Sequence, residues 1–138
     1  MALNHPAADA AHPAFSKLFV QTERLDHGAL LARRRPRSPE EHPVVFGHQL
    51  VVGYGAETGP TTVETDRARF VGRGRTLANP AALDAGVKLS GTTGNVLDPV
   101  LALRKQLLVP AWSRILLVAT LAADPDRDAV AALLSRDW

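Results

Sequence analysis

Cysteine is absent from these 138 residues. Disulfide frameworks, thiolate zinc sites and cysteine nucleophiles are excluded together, while the compartment stays open. No long apolar run is present. The longest, Ile115 to Ala123 with one Thr inside it, is about half of the ~20 residues that a helical span needs. The first twenty residues have no cationic start leading into an apolar core, so no signal peptide is expected. An excess of one charge is also missing: 16 Lys and Arg face 14 Asp and Glu, for a net charge of +2. That excludes a bulk electropositive nucleic-acid binder and leaves room only for a local patch. The pI near 9.5 reflects the dominance of Arg, thirteen of the sixteen cations, over Lys.

What remains is globular composition, 46% apolar and 22% charged, in a chain long enough for one compact domain. Residues 1–14, with His5-Pro6 and His12-Pro13, read as an extended lead-in. A strand is expected from Phe15 through Glu23, then a turn at Asp26-His27-Gly28 and a short apolar segment, Ala29 to Ala32. Arg33-Arg34-Arg35-Pro36-Arg37-Ser38-Pro39 follows as a basic, proline-broken loop or edge.

Val44 to Tyr54 is the clearest strand, with Phe46, His48, Leu50, Val52 and Tyr54 on one face and Val45, Gly47, Gln49 and Val51 on the other. Thr61 to Val71 reads as a second long strand. Asn79-Pro80 is a helix-start signature, Asn as N-cap and Pro at the first helical position, for one or two turns ended by Gly86. Two more strands are expected over Val100–Val109 and Arg114–Leu121. The tail reads as a helix capped by Asp124, with Ala129, Val130, Leu133 and Leu134 on one stripe. Successive strands without long intervening helices imply a mainly β antiparallel sandwich with a short connecting helix and a C-terminal helix. Residues 15–123 form the sandwich and 124–138 the helix.

The residues that can carry chemistry are few. The five histidines show no metal-ligand spacing, and three precede Pro, as loop residues do. His48, on the more apolar face of its strand, reads as a hydrogen-bonded core residue. Gly72-Arg73-Gly74-Arg75 lacks the third glycine of a dinucleotide fingerprint. Ser90-Gly91-Thr92-Thr93-Gly94 lacks the Lys of a phosphate loop, although its amides can form an anion or hydroxyl nest or simply a turn.

Glu64 and Asp66 sit two apart on one strand face, the relation a glycosidic carboxylate pair needs, but with Arg67, Arg69 and Arg73 beside them structural ion pairs are the simpler reading. No serine stands in a nucleophile elbow. Arg33, Arg34, Arg35 and Arg37 can face phosphates, yet Glu40 and Glu41 follow at once and no aromatic platform is interleaved. A solvated edge, or a contact to an acidic protein surface, is the simpler reading. Trp112, in the loop after Pro110, can stack on the apolar face of a sugar or pack into the core.

Several stretches in order resemble one family. They are His12-Pro13-Ala14-Phe15-Ser16-Lys17-Leu18-Phe19-Val20 with Thr22-Glu23, then Ala32 to Pro39, then Glu64-Thr65-Asp66-Arg67-Ala68-Arg69-Phe70-Val71-Gly72-Arg73-Gly74-Arg75. Leu89-Ser90-Gly91-Thr92-Thr93-Gly94, Leu97-Asp98-Pro99 and Leu103-Arg104 complete the set. From about residue 5 to about residue 134 this pattern is similar to the cyclic β-1,2-glucan synthases. In particular it is similar to the β-supersandwich region before the catalytic barrel in glycoside hydrolase family 94, formerly glycosyltransferase family 36. Pro110-Ala111-Trp112 departs from the Pro-Gly common in the family's last loop, and the Val52-to-Val63 hairpin is idiosyncratic.

The resemblance implies a galactose-mutarotase-like supersandwich packed on an (α/α)6 barrel that carries the general-acid Asp. No position here inherits that role, so the isolated chain is expected to be a non-catalytic domain piece. It implies no cofactor or metal, a cytoplasmic site near the inner membrane through a parent protein, and no nucleic-acid partner or membrane insertion. Glucan contacts are expected from Arg73, Arg75, Thr92, Thr93 and Trp112, since Arg and Thr bond hydroxyls and Trp stacks on sugar rings. A purely structural module using Arg33, Arg34, Arg35 and Arg37 is the other reading. The resemblance also implies that the chain begins inside the family's sandwich, so open sheet edges are expected to make it homo-oligomeric.

Overall fold

The computed structural model describes residues 6–12, 15, 17–36, 38–54 and 59–135. The described residues form α1 (Pro6–Ala11), β1 (Val20–Arg24), β2 (Leu30–Arg34), β3 (Val45–Tyr54), β4 (Thr62–Asp66), α2 (Arg67–Val71), a 3-10 turn (Ala81–Leu83), β5 (Gly94–Asn95), β6 (Pro99–Arg104), β7 (Leu116–Asp124) and α3 (Arg127–Leu134). The pairings are antiparallel. One sheet runs β5-β1-β2-β3-β7, and β4 with β6 makes a two-stranded ribbon. The mainly β antiparallel sandwich with a C-terminal helix is therefore the observed architecture.

The two faces of the large sheet are covered differently. Glu23 pairs with Leu31, Leu31 with Gly47, and Gly47 with Ala122, so these four side chains share one face. On that face sits α3, whose Val130 and Leu134 are fully buried with Leu31, Val45 and Ala122. Gly47 makes the contact close: a Cβ there would lie 2.5 Å from Leu134 Cδ1 and 2.7 Å from Val130 Cγ1.

On the opposite face the ribbon lies over β1 and β2, tied by Thr22 Oγ1, which donates to Thr65 Oγ1 at 3.0 Å. Thr65 Oγ1 in turn donates to the Thr92 carbonyl at 2.7 Å. Both threonines are buried, and this pairing leaves neither hydroxyl without a partner inside.

Several sequence expectations change. Residues 6–11 are helical, not extended. Phe15 to Phe19 does not extend β1: Arg35 N donates to Phe19 O at 2.8 Å, and beyond it Pro36 has no N–H to continue the ladder. β4 stops at Asp66, whose carboxylate accepts from the amides of Ala68 (2.9 Å) and Arg69 (3.4 Å) and so starts α2 instead of continuing the strand. Asp66 and Glu64 consequently do not act as a facing pair.

At the 3-10 turn Pro80, not Asn79, occupies the N-cap position, with no side-chain capping bond. Asp126, not Asp124, caps α3. The buried face of β3 carries Val45, Gly47 and Gln49, while Phe46, His48 and Leu50 are half-buried on the other. His48 sits there with Nδ1 3.2 Å from the Thr120 carbonyl.

Arg34 is the largest correction. It is the last residue of β2, an interior strand of the large sheet, is 1% exposed, and its Nη1 donates to Glu41 Oε1 at 2.6 Å. A buried guanidinium without its carboxylate is costly, whereas an apolar replacement of similar shape is nearly neutral. Glu41→Gln is expected to lower stability by about 1–2 kcal/mol, the figure reduced because Glu41 is partly exposed, and Arg34→Met by less than about 1 kcal/mol. Urea unfolding of the two variants checks the order. A larger loss for Arg34→Met than for Glu41→Gln would refute it.

Candidate functional site

The antiparallel register places one residue from each strand of the large sheet in a single row. Asn95 pairs with Gln21, Gln21 with Arg33, Arg33 with Val45, and Val45 with Asp124. Cross-strand partners share a face, so this row lies on the α3 side. It is adjacent to the row that Val130 and Leu134 cover. Because α3 starts only at Arg127, the Asn95–Asp124 row stays open, and two adjoining grooves form over it.

One groove, of about 490 Å³, is lined by Gln21, Arg33, Arg35, His42, Pro125 and Arg127, among others. The other, of about 300 Å³, adds Glu23, Leu31, Gly94 and Asn95. Gln21, Arg33, Val45 and Arg127 line both and make them continuous.

Cations outnumber acids along this surface: Arg33, Arg34, Arg35 and Arg127 line the larger groove with no acidic residue among them, and Glu23 lines the smaller one. The Arg127 guanidinium donates through both Nε and Nη2 to the carboxylate of Glu23, joining the first turn of α3 to β1, and also donates to Asp128. This hydrogen bonding holds the Glu23 carboxyl below the usual carboxylate range, with help from the nearby charges of Arg127 and Arg33. It also pushes the Arg127 pKa above its usual value. Glu23 is therefore an acceptor and Arg127 a donor at neutral pH. Arg33 and Arg35 are exposed and, among the described residues, make no ion pair. Gln21 and Asn95 each carry a donor and an acceptor beside the Arg33 guanidinium, whereas Glu23 and Arg127 are bonded to each other. Such groups can bond hydroxyls, which both donate and accept.

The residues singled out from the sequence lie elsewhere and are not brought together. Arg73 is exposed in the turn after α2. Arg75 forms a two-bond ion pair with Asp84 (2.7 and 2.8 Å). Thr92 Oγ1 accepts from Ser90 Oγ (2.8 Å) and Arg69 Nη1 (3.3 Å), and Thr93 is exposed beside it. Trp112 is fully exposed at φ 60°, so it does not pack into the core.

No hydrogen bond connects these three places among the described residues, and none of the five residues lines either groove. Of the basic candidates, Arg33, Arg34 and Arg35 line the larger groove, and Arg37 lies outside the described residues. Gln21, Glu23, Asn95 and Arg127 were not evident from local sequence, since only the strand register and the docking of α3 bring them together. Among the described residues no group of three or more His, Asp and Glu is placed to hold a metal ion, and no helix is long and apolar enough to cross a membrane.

Comparison with known proteins decides the family. The family model described as "Glycosyl hydrolase 94, supersandwich domain" matches residues 1–137. The chain belongs to this family. The glycosyl hydrolase 94 supersandwich thus accounts for the antiparallel sheets described above, and the match is to that domain, not to a catalytic barrel. The chain is also 42% identical, over 130 residues, to the cyclic beta-(1,2)-glucan synthase NdvB of Rhizobium meliloti (strain 1021). The aligned region covers 94% of this glycosyl hydrolase 94 chain and 5% of the synthase. The chain therefore spans about a twentieth of the length of that relative.

Proposed function

We propose that this chain is a non-catalytic, glucan-associated domain of a larger β-1,2-glucan synthase-like protein. In this reading the Asn95–Gln21–Arg33 row, bounded by Glu23 and Arg127, is where it meets glucan hydroxyls. The observation that carries the site is the polar row beside the first turn of α3, where Gln21, Asn95 and the exposed guanidinium of Arg33 line the grooves. Similarity to a cyclic beta-(1,2)-glucan synthase supplies the sugar class. Bond making and breaking belongs to other parts of the parent polypeptide, and this domain holds or presents the glucan to them. Arg73, Arg75, Thr92, Thr93 and Trp112 remain candidate secondary contacts, with Trp112 available for stacking.

Calorimetric titration with β-1,2-linked gluco-oligosaccharides tests this reading. Saturable binding is expected, nearly unchanged between low and high salt because neutral hydroxyls are the ligand groups. Arg33→Ala and Gln21→Ala are each expected to weaken it about fivefold, the loss of one or two net hydrogen bonds.

The exposed, unpaired guanidinium groups of Arg33 and Arg35 favour a second reading, an edge that contacts an acidic protein surface. It would show as no sugar binding, and as capture of acidic peptides that weakens steeply with salt.

A further inference from the structure

The two edges of the large sheet are not alike. At one edge β5 has only two residues, Gly94–Asn95, which is a short and blunted edge. At the other, β7 runs nine residues, Leu116–Asp124, and among the described residues pairs only with β3. No described strand pairs with its outward row of N–H and C=O groups. Between Leu116 and Ala123 there is no charge, no proline and no glycine, the devices that usually protect such an edge. Leu117 is 45% and Leu121 64% exposed, on the face of β7 away from α3. No acidic residue occurs from Pro99 to Ala123, so the cation Arg114 just before the strand has no counter-charge near it in sequence, and among the described residues it makes no ion pair. The only acidic residue of the strand, Asp124, is at its far end.

We propose that β7 pairs antiparallel with β7 of a second copy of this chain, about a two-fold axis at Ala119. In that register Leu117 faces Leu121 of the partner copy, Ala119 faces Ala119, and Arg114 faces Asp124. Each exposed leucine thereby gains an apolar cross-strand neighbour, and Arg114 meets the Asp124 carboxylate, which also accepts from the Asp126 amide at 2.8 Å, in two symmetric ion pairs. The two five-stranded sheets join into one of ten strands. The charge placement is what selects a second copy over an unrelated strand: a sequence with Arg at one end and Asp at the other complements itself when antiparallel.

The test is the molar mass of the whole chain in solution, by light scattering across a dilution series, alongside circular dichroism to confirm folding. The expected mass is twice the 14.8 kDa of one chain. Ala119→Lys, an exposed substitution that puts two like charges face to face, is expected to give a folded monomer. Arg114→Asp alone and Asp124→Arg alone are each expected to weaken the dimer about tenfold, and the double swap to restore it. A folded wild-type monomer at all concentrations would overturn the proposal. So would a dimer indifferent to Ala119→Lys, a double swap that does not restore pairing, or a monomer that associates only with a different polypeptide.

Discussion

Gly47→Val is expected to remove the C-terminal helix from the sheet and lower stability by about 3 kcal/mol. Gly47 pairs with Leu31 on β2 and with Ala122 on β7, directly beneath α3. A Cβ there would stand 2.5 Å from Leu134 Cδ1, 2.7 Å from Val130 Cγ1 and 3.1 Å from Leu31 Cδ2. Leu134 and Val130 are fully buried, so neither has free space to turn into.

The helix must lift, which exposes both residues and opens the cluster of Leu31, Val45 and Ala122. In a domain of this size the loss corresponds to a fall in Tm of roughly 10 °C. Gly59→Ala, where no described residue lies within 4 Å of the added carbon, serves as the control and is expected to move Tm little. Equal Tm values for the two variants would show that α3 does not pack on Gly47 as described.

Glu64→Gln is expected to cost about 2–4 kcal/mol. The carboxylate is 3% exposed and accepts three backbone N–H bonds, from Thr65 and Asp66 through Oε1 and from Ser90 through Oε2, each at 3.1 Å. Burial alone would push this carboxyl up. The bonds from Ser90, Asp66 and Thr65 together outweigh it and hold the carboxyl below its ordinary range. An amide can keep only one of the two sides, since its NH2 then meets a second donor. The loss therefore falls either on the β4-to-α2 corner or on the loop that carries Thr92 and Thr93.

The pH dependence has a definite sign. A carboxyl with a lowered folded pKa adds stability that is complete above its unfolded value, about 4.3, and is lost as pH falls through the folded value. The gap between wild type and Glu64→Gln is accordingly expected to be widest at neutral pH and to narrow in acid, by urea unfolding at a series of pH values. A gap independent of pH would contradict an ionised, hydrogen-bonded Glu64.

Much of the fold was legible because strand patterning and turn residues are local properties. The β3 strand, β7 and the α3 helix lie within a few residues of where alternation and capping signals place them, whereas β6 ends at Arg104, five residues short of the expected Val109. What was not legible depends on partners distant in sequence. Residue hydrophobicity on β3 favours Phe46, His48 and Leu50 as the inner face, yet α3 selects the face of Gly47, the one residue that lets it approach. Asp66 reads as a strand residue until its carboxylate is seen to close the first turn of α2.

The basic run shows the same limit, because alternation along β2 buries Arg34 and exposes Arg33, a distinction set by pairing with β1 and β3. The polar row is further still from local sequence. Asn95 and Gln21 are 74 positions apart and become neighbours only through the two-residue strand β5.

The most direct measurement is an amide-resolved NMR titration of the chain with β-1,2-linked gluco-oligosaccharides, with β-1,4-linked ones as control. The expected result is saturable, linkage-selective shifts at Gln21, Arg33, Asn95 and Arg127, with any second cluster at Trp112 or Thr92–Thr93. A well-dispersed spectrum in which none of these amides moves would contradict glucan recognition by this domain.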